Sequence, residues 1–417
     1  MAAPTNTLIT NAVVTMEALD ILENTDAMSR IINTEYSDQF TFGGAKLGQT
    51  LNIRKPPQYV GRTGQAVSLE AITEQYVPLT LAYQQGVDTE VTSQDLALRI
   101  DDYRERVLRP QIGRVANLID QTVCGLAQGL NNFVGTPGTT PTTLSTYLAA
   151  KVKLDNFAAP MDNKRRVINN PAADASIMDA LKGLFQSSTE IKQQYLSGSM
   201  GTTIGADWYM DQNMYVHTVG TLGGTPTVSG SNQSGSSIIT QAWSSTTLNA
   251  GDIISFISTS TPVNAVNYPS FQNTGQPMQF VVTATTSDSA GAMTIPVAPA
   301  LVGPASSTPQ FQNVTNLPAT STAIYVFDTP AASFSGISGK SSPQNLFVHK
   351  DFGTLAMVDL PLPGGTDKAY RAANPKSGKS IRVIRDYVAL SDEWIQRLDV
   401  LYGVAVLRQQ YGCRVGG

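Results

Sequence analysis

The side chains able to do chemistry are few, and their spacing serves none of the common reactions. The only histidines, His217 and His349, lie in distant segments with no cysteine pair beside either, so no metal-ligand spacing exists. Gly378-Lys379-Ser380 has the ending of a phosphate-binding loop. Ala373 stands where that loop needs its first glycine, and no apolar strand precedes it, so the backbone amides cannot wrap a phosphate. No Gly-x-Ser-x-Gly elbow occurs. Asp101 and Asp102 are adjacent carboxylates, but neighbours on a helix face different ways, and stabilisation of a helix start accounts for them. Asn232-Gln233-Ser234 and Asn313-Val314-Thr315 fit the glycosylation pattern, which has meaning only in a secreted chain. No catalytic residue, cofactor or metal is expected, and the chain does not read as an enzyme.

The elements that would position such residues are better defined. Gly48 to Lys55 alternates Leu51 and Ile53 with polar neighbours until Pro56-Pro57 stops the strand. A glycine-rich link at Gly61–Gly64 leads to a second extended run, Val77–Leu81, and a short charged helix is expected at Asp101–Arg106. Pro110 suits the first turn of a longer helix, about residues 110–130. Its apolar positions Ile112, Val115, Ile119, Val123, Leu126 and Leu130 recur every three or four residues, one stripe over roughly five turns. Residues 7–30 predict another amphipathic helix with Leu8, Ala12, Met16, Leu19 and Leu22 on one side and Thr7 as its cap.

Composition changes abruptly further on. Between Lys192 and Lys340 there is no Lys or Arg, and from Gln212 to Gly339 the only charged residues are Asp252, Asp288 and Asp328. Short apolar runs at Ser237–Thr240, Ile253–Phe256, Phe280–Thr283, Met293–Ile295 and Ile324–Phe327 are bounded by turn formers. A small closed antiparallel barrel is expected, because strands without charge need their edges removed. Charge returns after Pro343. Leu346–Lys350 and Leu355–Val358 read as strands of one domain, Ser380–Arg385 as a strand with one face buried, and Arg397–Val415 as a strand pair or one long strand.

The 417 residues carry 41% hydrophobic and 14% charged residues, the latter low against an ordinary ~25%. Low charge suits a surface largely hidden against other copies, and equally a sparsely charged β-rich protein with no such role. A net charge of −4 excludes a free-standing nucleic-acid binder, which would show a basic footprint. Cys124, on the apolar side of the long helix, reads as a core residue, and Cys413 as a free thiol. No secretory n-region precedes Arg30 and no apolar run approaches ~20 residues, so no membrane contact and a reducing cytoplasm are expected.

Taken in order, these pieces resemble the major capsid (coat) protein of tailed bacteriophages, with the Hong Kong-phage capsid fold. The likeness is greatest to the coat family of Salmonella-type short-tailed phages, which carries an inserted β-barrel. The residues that carry it are Gly48–Pro56, Thr92–Leu96, Leu108–Pro110, Ile119-Asp120, Gly205–Trp208, Gly251–Phe256, Asn264–Asn267, Gln279–Thr283 and Arg397–Val404. The resemblance implies an α+β fold: an N-terminal arm at 1–35, an extended loop at 36–76, and a peripheral domain at 77–145 holding the spine helix. An axial domain would follow in two parts, 146–220 and 341–395, around an all-β insertion at 221–340, with C-terminal peripheral strands at 396–417.

It implies a shell subunit that assembles with itself into the pentamers and hexamers of an icosahedral lattice, in the host bacterial cytoplasm. A scaffolding protein, a portal ring and, optionally, a decoration protein would be partners, and the shell would enclose double-stranded DNA without reading its sequence. Arg54, Lys55 and Arg62 are candidate contacts to a neighbour's Asp101 and Asp102. A cargo-enclosing, encapsulin-like nanocompartment of the same fold is the alternative. An adhesin or tail fibre would account for the Ser/Thr-rich β segment but not for the long helix.

Overall fold

The computed structural model describes residues 28–37, 50–92, 107–181, 202–363, 369–374, 378–388 and 393–417, apart from 63, 68 and 269, with isolated positions between 15 and 40. Two compact units emerge, one from residues 1–53, 77–124 and 353–405, the other from 54–76, 125–352 and 406–417.

The first unit is built on a five-stranded sheet whose centre is the long strand Glu393–Val406. Lys379–Val388 lies on one side of it, and Tyr83–Thr92 runs antiparallel from Glu393↔Thr92 to Tyr402↔Tyr83. Segments from far apart in the chain thus share one sheet. Helix α1, Arg109–Cys124, packs on it through Ile112, Val115, Ile119 and Val123, all fully buried. Polar groups fix its register. Gln111 donates to Thr89 Oγ1 at 2.8 Å and accepts from Gln396 at 3.1 Å, while the Thr122 and Tyr402 hydroxyls meet at 2.8 Å. Asp120, buried in the same helix, accepts the Met28 amide at 3.2 Å.

The sequence stripe overran the α-helix. After Cys124 the chain tightens into a 3₁₀ turn over Gly125–Gly129, and three residues per turn rotate Leu126 to a half-buried position. Near the N-terminus, Ala18, Leu19 and Leu22 are buried, but Met16 is 67% exposed and Thr15 takes its place inside. The expected face is therefore rotated by one residue. Most of 7–30, including Leu8, Ala12 and the Thr7 cap, lies outside the described residues, as does the expected helix at 101–106.

The second unit joins a barrel to a mixed sheet. The sheet order is Asn132–Val134, Gly412–Val415, Asn345–His349, Arg165–Asn169, Ala206–Met210, Thr202–Thr203. Helix α2, Leu144–Asn156, buries Tyr147, Ala150 and Leu154. Helix α3, Pro171–Leu181, starts where Asn170 Oδ1 accepts the Ala173 amide, with proline in the first turn where no N–H is needed. Two expectations change here. Gly353–Val358 joins the five-stranded sheet of the first unit rather than sharing a sheet with Asn345–His349. Gly412–Val415 leaves the long C-terminal strand and pairs with Asn345–His349 instead.

The barrel closes through Gly235–Trp243, Met293–Leu301, Gln279–Val282, Ile253–Ile257, Ala323–Val326 and Gly224–Val228. Val228, Ile238, Ile254, Phe256, Phe280, Ile295, Ile324 and Val326 fill it, with the Phe256 and Phe280 rings 5.7 Å apart. Closure leaves no uncharged edge to pair with other chains.

Candidate functional site

The first place to look is the ribbon between the strands Thr50–Lys55 and Gln75–Thr80. At its foot Arg54 reaches Glu74 at 3.6 Å. Its tip is organised from within: Glu70 accepts the Val60 and Gly61 amides at 2.9 and 2.7 Å, and Arg62 donates to the Gly64 and Ala66 carbonyls. The backbone is thereby held without an apolar core beneath it. The side chains it presents are Tyr59, Val60, Val67, Leu69, Ile72 and Tyr76, with Leu69 93% exposed and Val67 77%. Scattered apolar side chains on a surface are ordinary, but six exposed along one ribbon give it an apolar character unusual for a solvated loop.

The second place is the set of the barrel's three aspartates, of which Asp252 alone is fully buried. Asp288 closes a turn by accepting the Thr246 amide at 2.6 Å. Asp252, fully buried, accepts from Gly220 N at 3.1 Å and Asn249 N at 2.8 Å and meets His217 Nε2 at 2.8 Å. Arg414 of the mixed sheet, also fully buried, donates to Gly251 O at 2.8 Å. Burial pushes its guanidinium down to about 10, opposed by the charge of Asp252. Asp328 accepts from Ser255 at 2.8 Å and from the Gln279 amide at 2.6 Å. Each of the three carboxylates holds hydrogen bonds within the chain, while the Asp328 side chain stays 41% exposed.

Among the described residues no group of three or more His, Cys, Asp or Glu is placed to hold a metal ion, and no helix is long and apolar enough to cross a membrane. A cleft of about 360 Å³ at the foot of the ribbon is lined by Lys55, Gln58, Tyr268 and Arg408 without a carboxylate. Burial and the nearby Arg408 lower the Lys55 amine below its usual value.

The P22 coat protein (gene protein 5) family matches residues 45–417. The chain belongs to that family. It is accordingly a tailed-phage coat protein, with the α+β capsid fold and an inserted barrel, a structural rather than enzymatic component located in the capsid of the virion. No curated protein matches it. Among solved structures it is similar to a chain of Mycobacterium phage Che8, at 11% identity over 94% of this chain and 90% of that one, TM-score 0.46. The capsid of Ralstonia phage GP4 gives 8% identity, 93% and 87% coverage and a TM-score of 0.43. That of Cyanophage P-SCSP1u gives 10%, 88% and 83%, with a TM-score of 0.39.

Of the contact residues named from the sequence, the coat protein uses Arg54 and Arg62 within its own ribbon and leaves Lys55 half-buried beside Arg408. Asp101 and Asp102 lie outside the described residues. Both histidines are buried and hydrogen-bonded to aspartates. His349 Nδ1 accepts the Asp351 amide at 3.2 Å, so its proton sits on Nε2, 2.9 Å from Asp162. Loss of water alone would raise the Asp162 carboxyl, but hydrogen bonds from His349 and Lys164 outweigh it and hold the value at about 2. A depressed carboxyl stabilises the fold fully above its ordinary 3.8 and loses that contribution as pH falls through about 2. Asp162→Asn should flatten the decline of the denaturation midpoint over that interval, followed by circular dichroism; a decline as steep as the wild type's would refute the assignment.

Proposed function

We propose that this coat protein builds an icosahedral shell of pentamers and hexamers by a scaffold-directed route. A precursor shell forms around an internal scaffolding protein and a portal ring, double-stranded DNA is pumped in, and the lattice then expands and locks. On this reading 1–35 is an arm, 36–76 the extended loop, 77–124 with 353–405 a peripheral domain, and 125–220 with 341–352 and 406–417 an axial domain bearing the insertion 221–340. One observation carries it: a ribbon whose backbone is held from within presents apolar side chains that its own chain leaves uncovered. Sister subunits are the cover that a coat protein always has at hand. Individual contacts can be weak, because each subunit repeats them with several neighbours in a closed lattice. The net charge of −4 fits a wall that encloses DNA without gripping it.

Expression of the chain alone and beside a candidate scaffolding protein, followed by negative-stain microscopy, tests the route. Uniform hollow spheres only in the co-expression are expected. Uniform spheres from the chain alone would remove the need for a scaffold, and a stable monomer under every condition would refute assembly.

A further inference from the structure

Below the barrel, three side chains meet in an arrangement that exceeds what packing needs. Lys153, in the last turn of α2, has a side chain only 14% exposed, and its Nζ lies 2.5 Å from Gln279 Oε1 and 2.9 Å from Phe133 O. Gln279 sits at the start of a barrel strand, 2% exposed, with both ends of its amide fixed. Oε1 also accepts the Phe133 backbone amide at 2.8 Å, and Nε2 donates to Phe133 O at 3.0 Å and to Asp328 Oδ2 at 2.6 Å. The same Asp328 oxygen, on a side chain 41% exposed, is 4.0 Å from Lys153 Nζ. Amine, amide carbonyl and carboxylate therefore converge, beside the edge-to-face rings of Phe133 and Phe327, 4.8 Å apart.

The backbone is strained to keep them there. Val326 and Thr329 bond to each other across a two-residue turn whose central residues, Phe327 and Asp328, have φ of 49° and 54°. That turn normally takes Asn, Asp or Gly, and a phenylalanine in it costs stability. The strain delivers the Phe327 ring to Phe133 and the Asp328 carboxylate to Gln279.

We propose that Lys153 and Gln279 join in an intramolecular isopeptide bond, with Asp328 carrying the proton and the Phe133 amide holding the oxyanion. Burial lowers the Lys153 amine below its usual value, which favours the neutral nucleophile. The Lys153 ammonium gives a proton to Asp328. Its lone pair then forms the Nζ–Cδ bond, and the carbonyl pair moves onto Oε1, where the Phe133 N–H accommodates it. Asp328 returns its proton to Nε2, the carbonyl reforms, the Cδ–Nε2 bond breaks, and the nitrogen leaves as ammonia with the last amine proton, as ammonium. Neither oxidant nor cofactor is consumed, and the step occurs once per chain. The bond would tie the barrel to α2 across 126 positions of sequence, restricting the unfolded chain as any long cross-link does.

Intact-mass measurement on the purified, denatured full chain should find it about 17 Da, one ammonia, below the sequence mass. Trypsin should fail at Lys153 and leave residues 152–164 attached to fragment 193–340, whose only lysine or arginine is its C-terminal Lys340. Lys153→Arg and Asp328→Asn should each restore the sequence mass. A wild-type chain at full mass that is cleaved normally at Lys153 overturns the proposal, and so does a mass loss that survives Lys153→Arg. Should a variant fail to fold, the wild-type peptide map decides alone.

Discussion

Asp252→Ala is expected to destabilise the barrel-bearing unit by about 3–5 kcal/mol and to move most of the expressed chain into the insoluble fraction. The carboxylate is fully buried and holds three partners at once, the Gly220 and Asn249 amides and His217. Truncation orphans all three in a place water does not reach. It also removes the negative charge that offsets Arg414. That guanidinium is fully buried, and its Nε and one terminal nitrogen have no hydrogen-bond partner among the described residues, so it depends on the field of Asp252. Replacing both members should be milder than replacing one, because the double change Asp252→Leu with Arg414→Met leaves no uncompensated charge. Urea midpoints of the soluble monomer measure this directly. A single variant with the wild-type midpoint would show that the carboxylate is dispensable.

The barrel was legible because its strands announce themselves. All five apolar runs named from the sequence became staves, and only the sixth, Gly224–Val228, escaped, since Gly-Thr-Pro-Thr-Val contains no apolar run. The three aspartates were visible as the only charges in a long neutral stretch, but their purpose was not. Lys153 and Arg414 answer them from far along the chain, and one-dimensional spacing does not encode such meetings. The spine helix was read from periodicity, a local property, while its early end at Cys124 depends on backbone tightening that an apolar stripe does not report. Leu69 and Ile72 went unnoticed for a related reason. An apolar residue with no periodic partners reads the same whether its cover is its own core or another molecule.

Leu69→Asp combined with Ile72→Asp is expected to leave the monomer folded and to abolish shells. The two side chains are 93% and 70% exposed, so the isolated chain gives up almost no burial, and its stability should change by no more than about 0.5 kcal/mol. In an assembled lattice the balance reverses. Each side chain covered by a neighbour contributes about 1.5–3 kcal/mol, and a carboxylate in its place adds the cost of an unpaired charge. A loss of even ~3 kcal/mol per contact raises the concentration needed for association by roughly a hundredfold. The penalty recurs at every subunit of a closed shell, so yield should collapse rather than decline. Sedimentation velocity with the scaffolding protein present separates the possibilities, and circular dichroism of the same samples checks the fold. Shells at wild-type yield would mean that the ribbon's apolar face stays in solvent after assembly, and another surface would then have to hold the lattice.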